Sequence, residues 1–234
     1  MQSSLSNRTL AASAVVVVAL AGTVAWLLNS VPAVEGLGNR VKLPLFHGGS
    51  TWVDLMLFTL MGISAVVYLV GRSDRAYAWE VGFRSVAAPL WAINSVLGYI
   101  AALSTWDLTG SKQAPFVLAM QDARLKAQIA LLMGVGIVLL LDWLVLDRRF
   151  HKAIADVVFV VLMWILLADI FLDPVKAALH PNNPVLNSGW EIKGPFFGMV
   201  AALFAMTVIL SWVIASFVGP EKPVEELPAE KLAA

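Results

Sequence analysis

The chain has 234 residues, of which 59% are hydrophobic and 14% charged, with 16 Lys and Arg balancing 16 Asp and Glu and a mean hydropathy of +0.80. Such apolarity lies far outside soluble averages and indicates an integral membrane protein, while a formal net charge of zero argues against nucleic acid as a partner. The absence of cysteine excludes disulfides, thiolate metal sites and covalent thioether attachment of a cofactor by this chain.

Six apolar stretches, at about 10–29, 51–71, 82–104, 127–146, 153–172 and 195–218, each have roughly the 20 residues that a helix needs to cross about 30 Å of hydrocarbon. Short connections leave no room for a separate soluble domain. The expected fold is therefore all-α: one polytopic bundle of six transmembrane helices over residues 1–218, followed by a Pro/Glu/Lys-rich mobile tail at 219–234. The first stretch runs into "SVPA", which imitates a signal-peptidase site ending at Ala33. Its apolar run is long for a signal sequence, and we read it as the first helix.

Before the second helix stands "LFHGGSTWVDL" (45–55), which sets His47, Gly48, Gly49 and Trp52 ahead of a run containing Asp54. The two glycines suit packing or the close approach of a flat ligand. Loop charges then give an orientation, because Lys and Arg near helix ends stay on the cytoplasmic side. Arg72, Arg75 and Arg84 follow helix two, and Arg148, Arg149 and Lys152 follow helix four; with Arg8, Lys222 and Lys231 they make nine on one side. Arg40, Lys42, Lys112, Arg124, Lys126, Lys176 and Lys193 make seven on the other, spread over longer loops that also carry acids. Both termini are accordingly expected in the cytoplasm, the protein lying in a cell inner membrane. His151, in "LDRRFHK", then falls among cytoplasmic basic residues and reads as interfacial, whereas His47 and His180, the latter in "AALHPNNPVLNSGW", fall on the outer side.

Asp54 and Asp169 each lie three residues from an expected helix end, so about 5 Å deep and near the outer histidines. A carboxylate there can accept a histidine's second N–H and fix its tautomer, or it can cap a helix or reach water. Asp142 and Asp156, toward the inner side, read as salt-bridge partners of Arg148, Arg149 and Lys152. Two histidines and two acids from four places make no compact metal motif, and there is no nucleophile elbow, phosphate loop or nucleotide fingerprint. Axial ligation of a haem suits the pattern better, since it asks for imidazoles on opposite faces and an aromatic platform. Trp52, Trp106 and Trp190 fall at the outer end, where membrane interfaces also enrich tryptophan.

The order of these parts resembles the haem-handling membrane proteins of cytochrome c maturation, specifically the C-type component that presents haem to a periplasmic chaperone. That family has six membrane helices and cytoplasmic termini. An outer histidine precedes helix two, a tryptophan-rich segment ending in W-D-A-R-L precedes helix four, and another outer histidine follows helix five. Here "LFHGGSTW" supplies His47, "AMQDARLKAQIALL" supplies Asp122, Ala123, Arg124 and Leu125, and "ALHPNN" supplies His180, over about residues 43–212. The resemblance implies that His47 and His180 are axial ligands of haem b and that the segment 105–125, with Trp106 and the nearby Trp52, forms a platform. It also implies that Arg124 and Lys126 pair with propionates, and that Asp54, Asp122 and Asp169 set ligand basicity. A haem chaperone and ABC transporter subunits would be partners. In place of the family's tryptophans before D-A-R-L this chain has "APFVLAMQ", with Trp106 and Asp107 displaced upstream.

The leading expectation is a haem carrier or delivery module without enzymatic turnover. The alternative is an accessory or anchoring subunit of a larger respiratory or monooxygenase membrane complex, with no cofactor of its own. Gly134, Gly136 and the stretch "GMVAALFA" would serve packing against other subunits or within the chain equally well. A transporter using Asp54 and Asp169 is disfavoured, because paired helix breaks and an inverted repeat are not evident.

Overall fold

The computed structural model describes residues 5–106, 113–144, 148–172, 185 and 187–220. These residues form seven α-helices and no strand: α1 Asn7–Ser30, α2 Lys42–Gly71, α3 Asp74–Thr105, α4 Pro115–Ala119, α5 Ala123–Leu144, α6 Arg149–Leu172 and α7 Trp190–Ala215. All but the short α4 are long and apolar enough to cross a membrane. The chain is thus a multi-pass membrane protein, with a helix at each of the six expected stretches.

Local chemistry sets the helix ends. Ser6 and Ser73 cap α1 and α3 by accepting from the backbone N–H of Thr9 (3.2 Å) and Ala76 (3.4 Å). Between α2 and α3 the chain reverses in two residues, with Arg72 in the left-handed region (φ 51°) and its N–H donating to Tyr68 O at 2.7 Å.

The second helix departs most from expectation. Entered through a 3-10 turn at Asn39–Val41, it starts at Lys42 and not near residue 51, so His47, Gly48 and Gly49 are helical. Hydropathy marks only the apolar run, whereas the helix continues through polar residues whose side chains bond its own carbonyls, as Ser50 Oγ does to Phe46 O at 2.8 Å. Asp54 consequently lies twelve residues into α2, about 18 Å along it. It is fully buried and does not stand near a helix end.

The α2 helix runs through the centre of the bundle, packed on α3, α6 and α7, while α5 lies against α3 and α6 and α1 sits outside on α7. Four-residue spacing lines one stripe of α2 with Val53, Leu57, Met61 and Ala65, none more than 1% exposed. Phe58, beside that stripe, meets Trp91 and Phe159 edge-on at centroid distances of 6.0 and 5.2 Å. Only Val24 is buried on α1, whose exposed Val15, Val18 and Trp26 form a lipid-facing surface. The small residues serve packing within the chain. A Cβ at Gly49 would stand 2.6 Å from Met199 Cε, and Gly134 and Gly198 face Phe159 and Leu27, while Gly136 faces open space.

A second correction concerns the inner acids. Asp142 and Asp156 are held by Arg84, whose Nη2 and Nη1 reach them at 3.3 and 3.1 Å, and Asp142 also pairs with Lys152 at 2.9 Å. Arg84 belongs to the buried face of α3 and not to a loop. Of the other expected partners, Arg149 pairs with Asp74 at 2.8 Å instead. His151 is exposed beside Phe150 on the first turn of α6.

Candidate functional site

A cavity of about 390 Å³ opens at the end of the bundle where α2, α5 and α7 begin and α3 and α6 finish. Small-molecule and cofactor sites occupy roughly 300–1,000 Å³, so it is of ligand size. Its walls are mainly apolar, from Leu45 and Leu55 of α2 to Leu167 of α6, and three tryptophans, Trp52, Trp91 and Trp106, line it. Trp52 is half exposed and packs edge-on against Phe196 and Phe197 of α7, whereas Trp91 is 2% exposed and donates from Nε1 to the Gln128 carbonyl at 3.1 Å.

Few polar residues line these walls: chiefly His47, Arg124 and Gln128, with Thr51, Thr105 and Ser188. His47 reaches across from α2 to α3. The Cε1–Nε2 edge of its ring rests over Gly98, where a Cβ would overlap Cε1 and stand 2.8 Å from both Nε2 and Gln128 Oε1. Gln128 is 7% exposed, and its Nε2 donor has no protein acceptor.

Asn94 braces the other side of the imidazole, and its amide can serve either tautomer. In the orientation that suits all its neighbours, Nδ2 donates to His47 Nδ1 (2.9 Å) and Ser50 Oγ (2.7 Å) while Oδ1 accepts from Thr51 Oγ1 (2.8 Å). That leaves the ring proton on Nε2. Turned over, Oδ1 accepts from Nδ1–H at 2.9 Å, which frees the Nε2 lone pair, and Nδ2 reaches Asp54 Oδ2 at 3.5 Å. Asp54 therefore stands behind His47 with Asn94 between them.

The remaining sequence candidates are placed differently. Arg124 lines the cavity, whereas the Asp122 carboxylate turns to the start of α5, accepting from the N–H groups of Arg124 (2.8 Å) and Leu125 (3.3 Å) as a cap. Asp169 is exposed on the last turn of α6 and does not line the cavity, and Trp190 is exposed on the first turn of α7. His180 and Asp107 lie outside the described residues.

Sequence reasoning missed Asn94, Gly98 and Gln128. The available signal was a lone Asn and a lone Gln within apolar helices, which marks a buried polar group with a partner. Together the parts define a class: a multi-pass helical membrane protein with a largely apolar, ligand-sized cavity at one end and a braced histidine in its wall. No protein-family model matches this sequence, and no curated protein matches it.

Proposed function

We propose that this chain is a haem-handling protein of a cell inner membrane, which holds haem b at the outer end of the bundle and passes it on without turnover of its own. The observation that carries this reading is the His47 imidazole seated in the wall of a cofactor-sized cavity with Asn94 behind its Nδ1.

The donor set suits such a group. A bare metal ion needs several protein ligands, and among the described residues no group of three or more His, Asp or Glu converges. An iron already held in a macrocycle needs only one or two axial ligands. When bound, haem supplies that iron. The protein would supply the rest: with the Asn94 amide turned so that Oδ1 accepts from Nδ1–H, the His47 Nε2 lone pair is free for the iron, Gly98 leaves room for the ring, and Trp52, Trp91 and Trp106 line the cavity. Arg124 provides a charge-assisted partner for a carboxylate at the cavity. His180 would be the second residue to hold the iron in this reading. The loop charges support a reading in which the cavity lies outside and both termini lie in the cytoplasm, with an outer haem chaperone and transporter subunits as partners.

Titrating the full chain in lipid nanodiscs with haemin, followed by Soret absorption, tests this. His47→Ala and His180→Ala are each expected to weaken retention by on the order of 10–100-fold, while His151→Ala leaves it unchanged. Equal loss in all three variants, or no Soret shift with the unaltered chain, would overturn the reading.

A further inference from the structure

At the end of the bundle away from the cavity, five charged side chains meet between α3, α5 and α6. Glu80 and Arg84 stand four residues apart and so share a face of α3; Asp142 comes from α5, and Lys152 and Asp156 from α6. Asn94, which braces His47, is fourteen residues further along α3, so this cluster is about 21 Å from the cavity network. Glu80 and Asp156 are both 0% exposed.

The cations in the cluster are committed. Arg84 gives Nη1 to Asp156 Oδ2 (3.1 Å) and Nη2 to Asp142 Oδ2 (3.3 Å), and Lys152 Nζ gives itself to Asp142 Oδ1 (2.9 Å) and the Asp142 carbonyl (3.1 Å). Neighbouring polar groups are engaged elsewhere. Asp74 and Arg149 form a closed pair at 2.8 Å, with the Arg149 guanidinium 4.5 Å over the Tyr77 ring. On α7, Thr207 and Ser211 donate to carbonyls of their own helix at 2.9 and 2.8 Å. Three acids thus face two cations. Both Glu80 oxygens and Asp156 Oδ1 are buried without a donor, although the two carboxyl groups lie within hydrogen-bonding reach of each other.

We propose that Glu80 and Asp156 form a proton-binding site, holding one proton between their carboxyl groups at neutral pH. Two carboxylates in contact in a dry interior cannot both ionise here, because with Arg84 and Lys152 already committed an ionised Glu80 would be an uncompensated buried charge beside the Asp156 carboxylate. One proton removes the excess charge and gives partners to two of the three oxygens. An O–H on either acid donates to the other, and the cluster becomes neutral, with two anions facing two cations. The ligand is a proton and not a metal ion, since among the described residues no group of three or more acids or histidines is placed to hold a metal. The pairing of α3 with α6 at this end then depends on that proton, independently of what the cavity binds.

Infrared spectra of the full chain in lipid nanodiscs at neutral pH, in H₂O and D₂O, test the proposal. A carbonyl band of a protonated carboxylic acid, shifted in D₂O, is expected in the unaltered chain, to persist in Asp54→Asn and to be diminished in Glu80→Gln. The Gln amide can donate to Asp156 in the proton's place, so that variant is expected to fold. No acid band in the unaltered chain, or a band undiminished in Glu80→Gln, would overturn the site. Should Glu80→Gln fail to fold, Asp54→Asn decides: a remaining band supports the pair, and complete loss puts the proton on Asp54 and overturns it.

Discussion

At position 98 the missing β-carbon is what lets His47 reach the wall of the cavity, because α3 passes directly beneath the imidazole edge. Gly98→Ala sets two effects against each other. Alanine favours the helix by about 1 kcal/mol, so the fold has no local reason to weaken. The added methyl nevertheless occupies the seat of the ring, which must swing away from Asn94. Losing the His47 contact with the buried Asn94 amide costs about 1–3 kcal/mol against the helical gain of about 1 kcal/mol, so thermal unfolding is expected to weaken by no more than about 2 kcal/mol while haemin affinity falls as in His47→Ala. Unchanged affinity in the same titration would mean that the imidazole does not meet the ligand from this seat. His47, Trp52 and Trp106 could be singled out from residue type and position at a membrane helix end, and Arg124 through the family resemblance. Gly98 could not, since an ordinary helical glycine and one that seats a ring from another helix look the same in sequence.

Among the elements, α3 carries residues of both polar networks, with Asn94 and Gly98 toward the cavity and Glu80 and Arg84 toward the opposite end. Arg84 joins α3 to α5 and α6 through two buried pairs, the Asp156 side chain being 0% exposed and that of Asp142 23%. Removing one partner of a buried pair leaves an uncompensated charge and costs about 3–5 kcal/mol, which is the loss expected for Arg84→Ala. Arg149→Ala serves as the comparison. Its partner Asp74 is half exposed, so losing that ion pair and the contact with the Tyr77 ring is expected to cost about 1–2 kcal/mol. Thermal unfolding of both variants in one detergent measures the difference; equal losses would mean that the Arg84 pairs contribute no more than a surface pair. The start of α2 shows why boundaries were harder to read than spans. Lys42, His47 and Ser50 lower the hydropathy without breaking the helix, because intrahelical hydrogen bonds, and not lipid contact, hold that portion.

For the whole molecule, the orientation argued from loop charges has a direct check, since the chain has no cysteine to interfere with labelling. Glu35 and Arg75 are exposed positions at opposite ends of the bundle. A cysteine at 35 is expected to react with a membrane-impermeant maleimide in intact cells, and one at 75 only after permeabilisation; the reverse pattern would place the cavity in the cytoplasm. The number of spans was determined by the sequence itself, because a run of about 20 apolar residues must satisfy its backbone as a helix in lipid whatever surrounds it. So was the absence of thiol chemistry. Which side chains meet was decided only by the tertiary structure. His47 finds Asn94 and Gly98, and Glu80 and Arg84 find Asp156, through the rotation and axial register of helices far apart in the chain. An uninterrupted apolar helix in lipid records neither quantity in its own composition, since the packing of its neighbours sets both.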